Sequence, residues 1–291
     1  MIFRIIIKSI RDFIKDEGTI LAGSISFNFL LSSIPFIILL GSLMGYTFEY
    51  LQNIYEINSI ESSEIILNYI RNIFPMVKDE ALNQLFNIKN YRFPLSIIGF
   101  FGLLFTSTLL FEVIKHSFIK ILKCKLSPHF LIARLVGFLV IFIIIIISFF
   151  LENIFSIFFD KMTMMVEKVS FAGKLLQTIE IYGFLISFVV TALFSFILYY
   201  IFIRIFARDK NYSLFTIGAG TLFFSLTWNA FKYIYTFYLS KVTYLNIIYG
   251  SFTSLVIIFI WVYFTSVLFL VSIEVIKNTH LEKDRGEKLK I

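Results

Sequence analysis

The sequence predicts an all-α polytopic membrane protein, a bundle of six transmembrane helices with amphipathic helices in two long external connections. Three observations predict it. Six windows (18–48, 93–111, 135–151, 181–203, 211–231 and 242–273) carry no charged side chain. Each runs for roughly 17 to 32 residues, enough to cross about 30 Å of hydrocarbon as a helix. Composition agrees: 58% of residues are apolar, 38 are Phe and only 15% are charged, well under the roughly one quarter of a soluble domain. Finally, the runs are continuous rather than alternating, so only helices can satisfy their backbone amides in lipid. One membrane domain, 1–277, is expected, followed by a polar tail, 278–291.

The elements follow in order. Residues 1–16 carry Arg4, Lys8, Arg11 and Lys15 at intervals of three and four, on one face of a helix whose other face holds Ile5, Ile6 and Phe13. Such a helix lies on the cytoplasmic leaflet or serves as a charged lead-in to the first span. It has neither the uninterrupted core nor the cleavage site of a secretory signal, and retention is expected. Spans are placed at about 19–46, 93–114, 135–151, 181–203, 212–231 and 244–273, by the limits of each charge-free window. In the first, Pro35 removes a donor and crowds the carbonyl of Leu31, predicting a bend or break there, with Ser32 and Ser33 as substitute donors. Gly41, Gly45, Gly99 and Gly102 suit close helix contact. The long connection 49–92 contains the stripe Ile66, Ile70, Ile73 and Val77, broken by Pro75. The other, 152–180, contains Phe155, Phe158, Met162, Met165 and Val169. Both stripes predict short helices on the outer rim. The tail from Asn278, mixed in charge and poor in apolar residues, reads as a solvated, frayed end.

A net charge of +7 raises the question of nucleic acid. The location of the charges answers it. With six spans, 17 of the 26 Lys and Arg fall on the side of the termini and 9 on the other. This positive-inside asymmetry places both termini in the cytoplasm and accounts for the basic excess without a nucleic-acid partner.

Soluble-enzyme chemistry is nearly absent. His116, His129 and His280 lack metal-ligand spacing, Cys124 is the sole thiol, and no phosphate-binding loop or nucleophile elbow occurs. No catalytic residue, metal or cofactor is assigned. The spans instead hold polar and kink-forming residues where Leu would suit lipid better. Asn28, Ser32, Ser33 and Pro35 stand in the first, Glu112 at the end of the second, Asn229 in the fifth and Glu274 at the end of the sixth. These seven are the candidate polar path or gate, because intramembrane polar groups face protein or water. The competing reading, interhelical glue, is favoured for the hydroxyls and equal for Asn28, Glu112 and Glu274. As helix ends, Glu112 and Glu274 could also be ordinary solvated carboxylates beside Lys115 and Lys277.

The segment AGSISFNFLLSSIPF (22–36) resembles the first-helix signature of the YihY/virulence factor BrkB family. GAGTLFFSLTWNAFKYIYTFYL (218–239), followed by NIIYGSFTSLVIIFIWVYFTSVLFLVSIEV (246–275), resembles its later order of Gly-Ala, an aromatic helix, Tyr-Gly, Trp-x-Tyr and a final Glu. By that resemblance Ala22, Gly218, Trp228, Tyr249, Gly250, Trp261, Tyr263 and Glu274 occupy motif positions. Phe27 stands where the family usually has Tyr, and Ser272 and Ile273 stand where it has Gly-Ala. The resemblance implies a six-helix protein of the bacterial inner membrane. An old ribonuclease label attached to some members finds no support in these residues.

Three function classes follow, in order of expectation. A transporter or lipid-handling permease of the cell envelope would use the interior polar residues as a path. A non-transporting accessory or scaffold protein in envelope assembly would use them as glue. A membrane-embedded hydrolase or nuclease comes last. Membrane lipids are the expected partners, together with an envelope protein or a second copy of the chain.

Overall fold

The computed structural model describes residues 2–55, 92–124, 172–241 and 253–288. Six helices account for them: α1 (Ile2–Lys15), α2 (Gly18–Tyr55), α3 (Arg92–Leu122), α4 (Ala172–Phe206), α5 (Leu214–Lys241) and α6 (Thr253–Lys288). No strand occurs among the described residues. Five of these helices, α2 to α6, contain stretches long and apolar enough to cross a membrane. The span expected at 135–151 and both rim stripes, at 66–77 and 155–169, lie outside the described residues.

The helices overrun their expected limits because charge, the marker used to end them, does not end a helix. α4 begins at Ala172, α5 runs on to Lys241, and α6 continues to Lys288. The residues expected to form a frayed tail therefore continue the last helix, and Asn278 is fully buried. Pro35 does not interrupt α2 either. Ser32 donates to the Asn28 carbonyl at 2.8 Å and Ser33 to that of Leu30 at 2.6 Å. The bonds fall on the carbonyls of Asn28 and Leu30 rather than on that of Leu31, the ordinary back-bonding of serines in membrane helices.

The chain divides into two compact units, Met1–Phe27 with Phe111–Ile291, and Asn28–Leu110. In the second unit, α2 and α3 meet at glycine. A Cβ on Gly99 would stand 2.9 Å from the Leu39 amide nitrogen, and one on Gly102 would stand 3.0 Å from the Pro35 ring. Small residues there admit the neighbouring backbone, as expected for helices that cannot rely on the hydrophobic effect in lipid.

In the first unit, α6 packs on α5 and on α1, and α4 packs on α5. Gly220 sets the α5/α6 crossing, since a Cβ there would collide with Ile276 and lie 2.8 Å from the Ser272 carbonyl. Aromatic side chains fill the space around α6. Phe118, Phe202, Phe206 and Tyr199 are almost wholly buried. Tyr199 stacks on Phe269 at 5.1 Å and donates to its carbonyl at 3.1 Å, so the phenol is satisfied inside the apolar core.

α1 joins α2 through Glu17, whose left-handed backbone (φ 57°) turns the chain, and Gly18, where any side chain would strike the Phe13 ring. α1 has three faces rather than two. Ile5, Ser9 and Phe13 are buried; Arg4, Arg11 and Lys15 point outward; and Phe3, Ile7, Ile10 and Ile14 form a separate exposed apolar stripe. The spacing of three and four produces each stripe.

Candidate functional site

The polar residues of the spans fall into distinct settings. Between α4 and α5, Asn229 is buried and donates to the Ser225 carbonyl at 2.8 Å. Ser187 reaches the Asn229 side-chain oxygen at 3.4 Å, and the hydroxyls of Ser195 and Ser225 stand 3.5 Å apart. The short bonds all return to each residue's own helix, Ser195 to Thr191 at 2.7 Å and Ser225 to Thr221 at 2.9 Å. Contacts between helices are long, at the edge of hydrogen-bond geometry. The same holds for Ser26, bonded to the Ala22 carbonyl at 2.7 Å but to Ser266 only at 3.3 Å.

Of the other candidates, Asn28, Ser32, Ser33 and Pro35 belong to the second unit and Glu112, Asn229 and Glu274 to the first. Glu112 is half-buried and pairs with Lys115 one helical turn along, at 3.1 Å. Trp228 and Trp261, motif positions by resemblance, meet edge to face at 5.9 Å within a group that includes Phe231 and Tyr235. Ala22 is wholly buried and Tyr263 half-buried. Gly218 has open space where a side chain would go, so the close contact on this helix falls to Gly220 instead. Tyr249 and Gly250 lie outside the described residues.

Glu274 departs most from expectation. Rather than a solvated terminus, its carboxylate is fully buried, in a run from Val271 to Asn278 that is buried on every side. Lys277, one turn on, pairs with Glu274 and, at 3.2 Å, with Asp16 in the turn that follows α1. Asn278 donates to both Ser9 (3.1 Å) and Asp12 (3.1 Å), which lie on α1. Asp12 can only accept, so the Asn278 amide nitrogen must face it, which leaves the amide oxygen buried with no partner among the described residues. A buried ionic and amide network thus fastens α1 to α6. Ser9 and Asp12 share a stripe on α1 with Ile5, and Asp16 continues it into the turn, a signal legible at helical spacing.

This network borders a cavity of about 740 Å³ formed by α1, the end of α3, the α4–α5 turn and α6. Lysines Lys8, Lys15, Lys123, Lys210 and Lys277 line it. So do the carboxylates Asp12, Asp16, Asp209 and Asp284. Lys210 reaches the Leu122 carbonyl and closes the end of α3. Glu17, on the outer side of the α1–α2 turn, is held below the usual carboxylate range by its bond to Lys120 and by that lysine's charge. Cys124 is buried at the rim, which pushes its thiol up to about 11, with the Asp209 charge acting in the same direction.

Chemically the arrangement holds charge of both signs at one end of an apolar bundle. Among the described residues, no group of three His, Cys, Asp or Glu stands close enough to hold a metal ion. No curated protein and no solved structure matches the chain. Residues 9–290, nearly its whole length, match the family model described as Virulence factor BrkB; with five helices apolar enough to span a bilayer, the chain is a membrane protein and belongs to the virulence factor BrkB family.

Proposed function

We propose that the protein is a permease of the bacterial inner membrane that handles a lipid or another envelope solute, with both termini in the cytoplasm. The 17-to-9 distribution of Lys and Arg supports this orientation, with the α1/α6 end at the cytoplasmic leaflet. The observation that carries the reading is the buried Glu274–Lys277–Asp16 network beside a charged cavity. Burying Glu274 and Lys277 is costly, and apolar packing would hold the helices at least as well. Their retention fits a working element better than a fastening. In this reading Glu274 is the gate contact, and Asn28, Ser32, Ser33, Pro35, Glu112 and Asn229 belong to the polar path.

Reconstitution into liposomes tests it. Wild-type protein is expected to accelerate flux or lipid exchange between leaflets. Glu274→Gln, which keeps shape and removes charge, is expected to insert normally and lose that activity. Equal activity in the two would return Glu274 to a structural role. A second reading, a non-transporting accessory or scaffold protein, is favoured by one observation: Ser195 and Ser225, facing each other between α4 and α5, make their short bonds within their own helices. Full insertion with no flux in either protein would favour it.

A further inference from the structure

α1 carries its charges on separate sides, and the separation specifies what the helix can rest on. At about 100° per residue, Phe3, Ile7, Ile10 and Ile14 fall within an arc of about 60°. Each is between 44% and 75% exposed. Arg4 and Arg11 stand exposed along one edge of this stripe, and neither makes an ion pair with another described residue. Asp12, the one acid of α1, lies on the opposite side of the helix, where Asn278 holds it. The arginines of α1 therefore border its exposed apolar face, and its acid is turned away toward α6.

The depth of α1 tells what lies against that face. A charged lead-in would continue the axis of α2. Instead the left-handed backbone of Glu17 turns the chain, and α1 lies against α6. Its hold there is Asn278, which bonds Ser9 at 3.1 Å. From Leu255, where the apolar stretch of α6 begins, about 23 residues lead to Asn278, or about 35 Å of helix against a hydrocarbon core of about 30 Å. The end of α3 and the α4–α5 turn border the same cavity as α1, so three spans stop at this level. α1 thus lies at the headgroup layer, with only Asp16 and Glu17 between it and the start of α2. At that depth, an exposed apolar stripe edged by arginine has the chemistry of a helix lying in the plane of an anionic leaflet.

We propose that α1 docks on an anionic lipid surface, with Phe3, Ile7, Ile10 and Ile14 entering the acyl boundary while Arg4 and Arg11 meet the charged headgroups. The helix then has a partner on each side, α6 on one and the leaflet on the other. Docking does not require transport, so it stands whether the protein is a permease or a scaffold.

The test uses the full chain with Cys124→Ala and a single nitroxide label at Ile7→Cys, Ile10→Cys or Ile14→Cys in turn, in nanodiscs of phosphatidylcholine and phosphatidylglycerol in equal parts. Paramagnetic resonance reads the exposure of each label to oxygen, which collects in hydrocarbon, against a water-soluble nickel complex. Arg285→Cys, exposed beyond the contact with α1, is the aqueous reference. The three stripe labels are expected to favour oxygen, and the reference nickel. A cation at an anionic surface contributes about fivefold, so Arg4→Gln/Arg11→Gln is expected to lower the ratio of docked to undocked α1 about twenty-five-fold. Arg4→Lys/Arg11→Lys keeps the charge and is expected to dock as the wild type does. Stripe labels as open to nickel as the reference would overturn the proposal. So would labels shielded from both reagents, which would mean that a second copy or another segment of this chain covers the stripe. Undiminished docking by the glutamine variant would show insertion without recognition of lipid charge and overturn it equally. The same loss in the lysine variant would do so too, by tracing the effect to arginine packing rather than to charge.

Discussion

The α4/α5 interface and the α1/α6 end are built from similarly polar residues and use them in opposite ways. Along α4 and α5, every short hydrogen bond made by Ser195, Ser225 and Asn229 stays within its own helix, and contacts between helices reach 3.4–3.5 Å. At the α1/α6 end, the bonds that matter join residues 261 and 269 positions apart, at 3.1–3.2 Å: Lys277 to Asp16 is an ion pair, and Asn278 to Ser9 is a neutral bond. Polar content within a span is therefore a poor guide to function. What distinguishes the two regions is whether a polar group is satisfied by its own helix or depends on another.

Cutting the network should produce the largest effect. Lys277→Met leaves the buried Glu274 and the half-buried Asp16 without this counter-charge, and is expected to destabilise the protein by about 3–5 kcal/mol, read as a lowered melting temperature in detergent. Glu274→Gln alone should cost much less, since Lys277 keeps Asp16. Adding Glu274→Gln to Lys277→Met should recover part of the loss. No recovery would mean the residues act separately and would dissolve the contrast.

Packing comes next. Gly220→Val drives a branched side chain into Ile276 and the Ser272 carbonyl, with an expected cost of about 1–3 kcal/mol. A neutral result in a thermal melt would show that α5 and α6 slide apart freely. On the other side of the comparison, Ser225→Ala removes an internal bond and a 3.5 Å contact. Its expected cost is about 0.6 kcal/mol, and a loss above about 2 kcal/mol would show that the α4/α5 hydroxyls do hold the helices together.

Cys124 probes the rim of the cavity with no expected change in stability. Its thiol, pushed up to about 11 by burial, is almost wholly protonated at neutral pH, and the thiolate is the reactive form. Labelling by an impermeant maleimide in opened cells should be slow at pH 7 and rise about tenfold per pH unit up to about 10. Rapid, pH-independent labelling would mean an open rim, and labelling in intact cells would reverse the proposed orientation.

The bilayer's thickness made most of the fold legible. It requires long uncharged runs, and α2 to α6 each contain one. The ends were not legible, because Glu274, Lys277 and Asn278 look solvated in one dimension and become buried only when α1 covers them. The candidate site divides on the same ground. Glu274 could be singled out as a carboxylate at the end of an apolar run. Its partner Asp16 could not, because nothing local connects two residues 261 positions apart. Gly218, a motif position by resemblance, meets open space while Gly220 meets α6, and spacing alone does not tell which glycine of a Gly-Ala-Gly run faces the neighbouring helix.

The long reach of the α1/α6 network also sets a schedule for making the protein. A ribosome delivers Ser9, Asp12 and Asp16 first and Lys277 and Asn278 near the end. At about 5–20 residues per second, a separation of 261 positions corresponds to roughly ten to fifty seconds during which α1 has no α6 to dock against. Its exposed stripe of Phe3, Ile7, Ile10 and Ile14 gives it a resting place on the membrane surface meanwhile. Docking of α1 then becomes the closing event of biogenesis, and a chain truncated before Lys277 would leave the helix waiting.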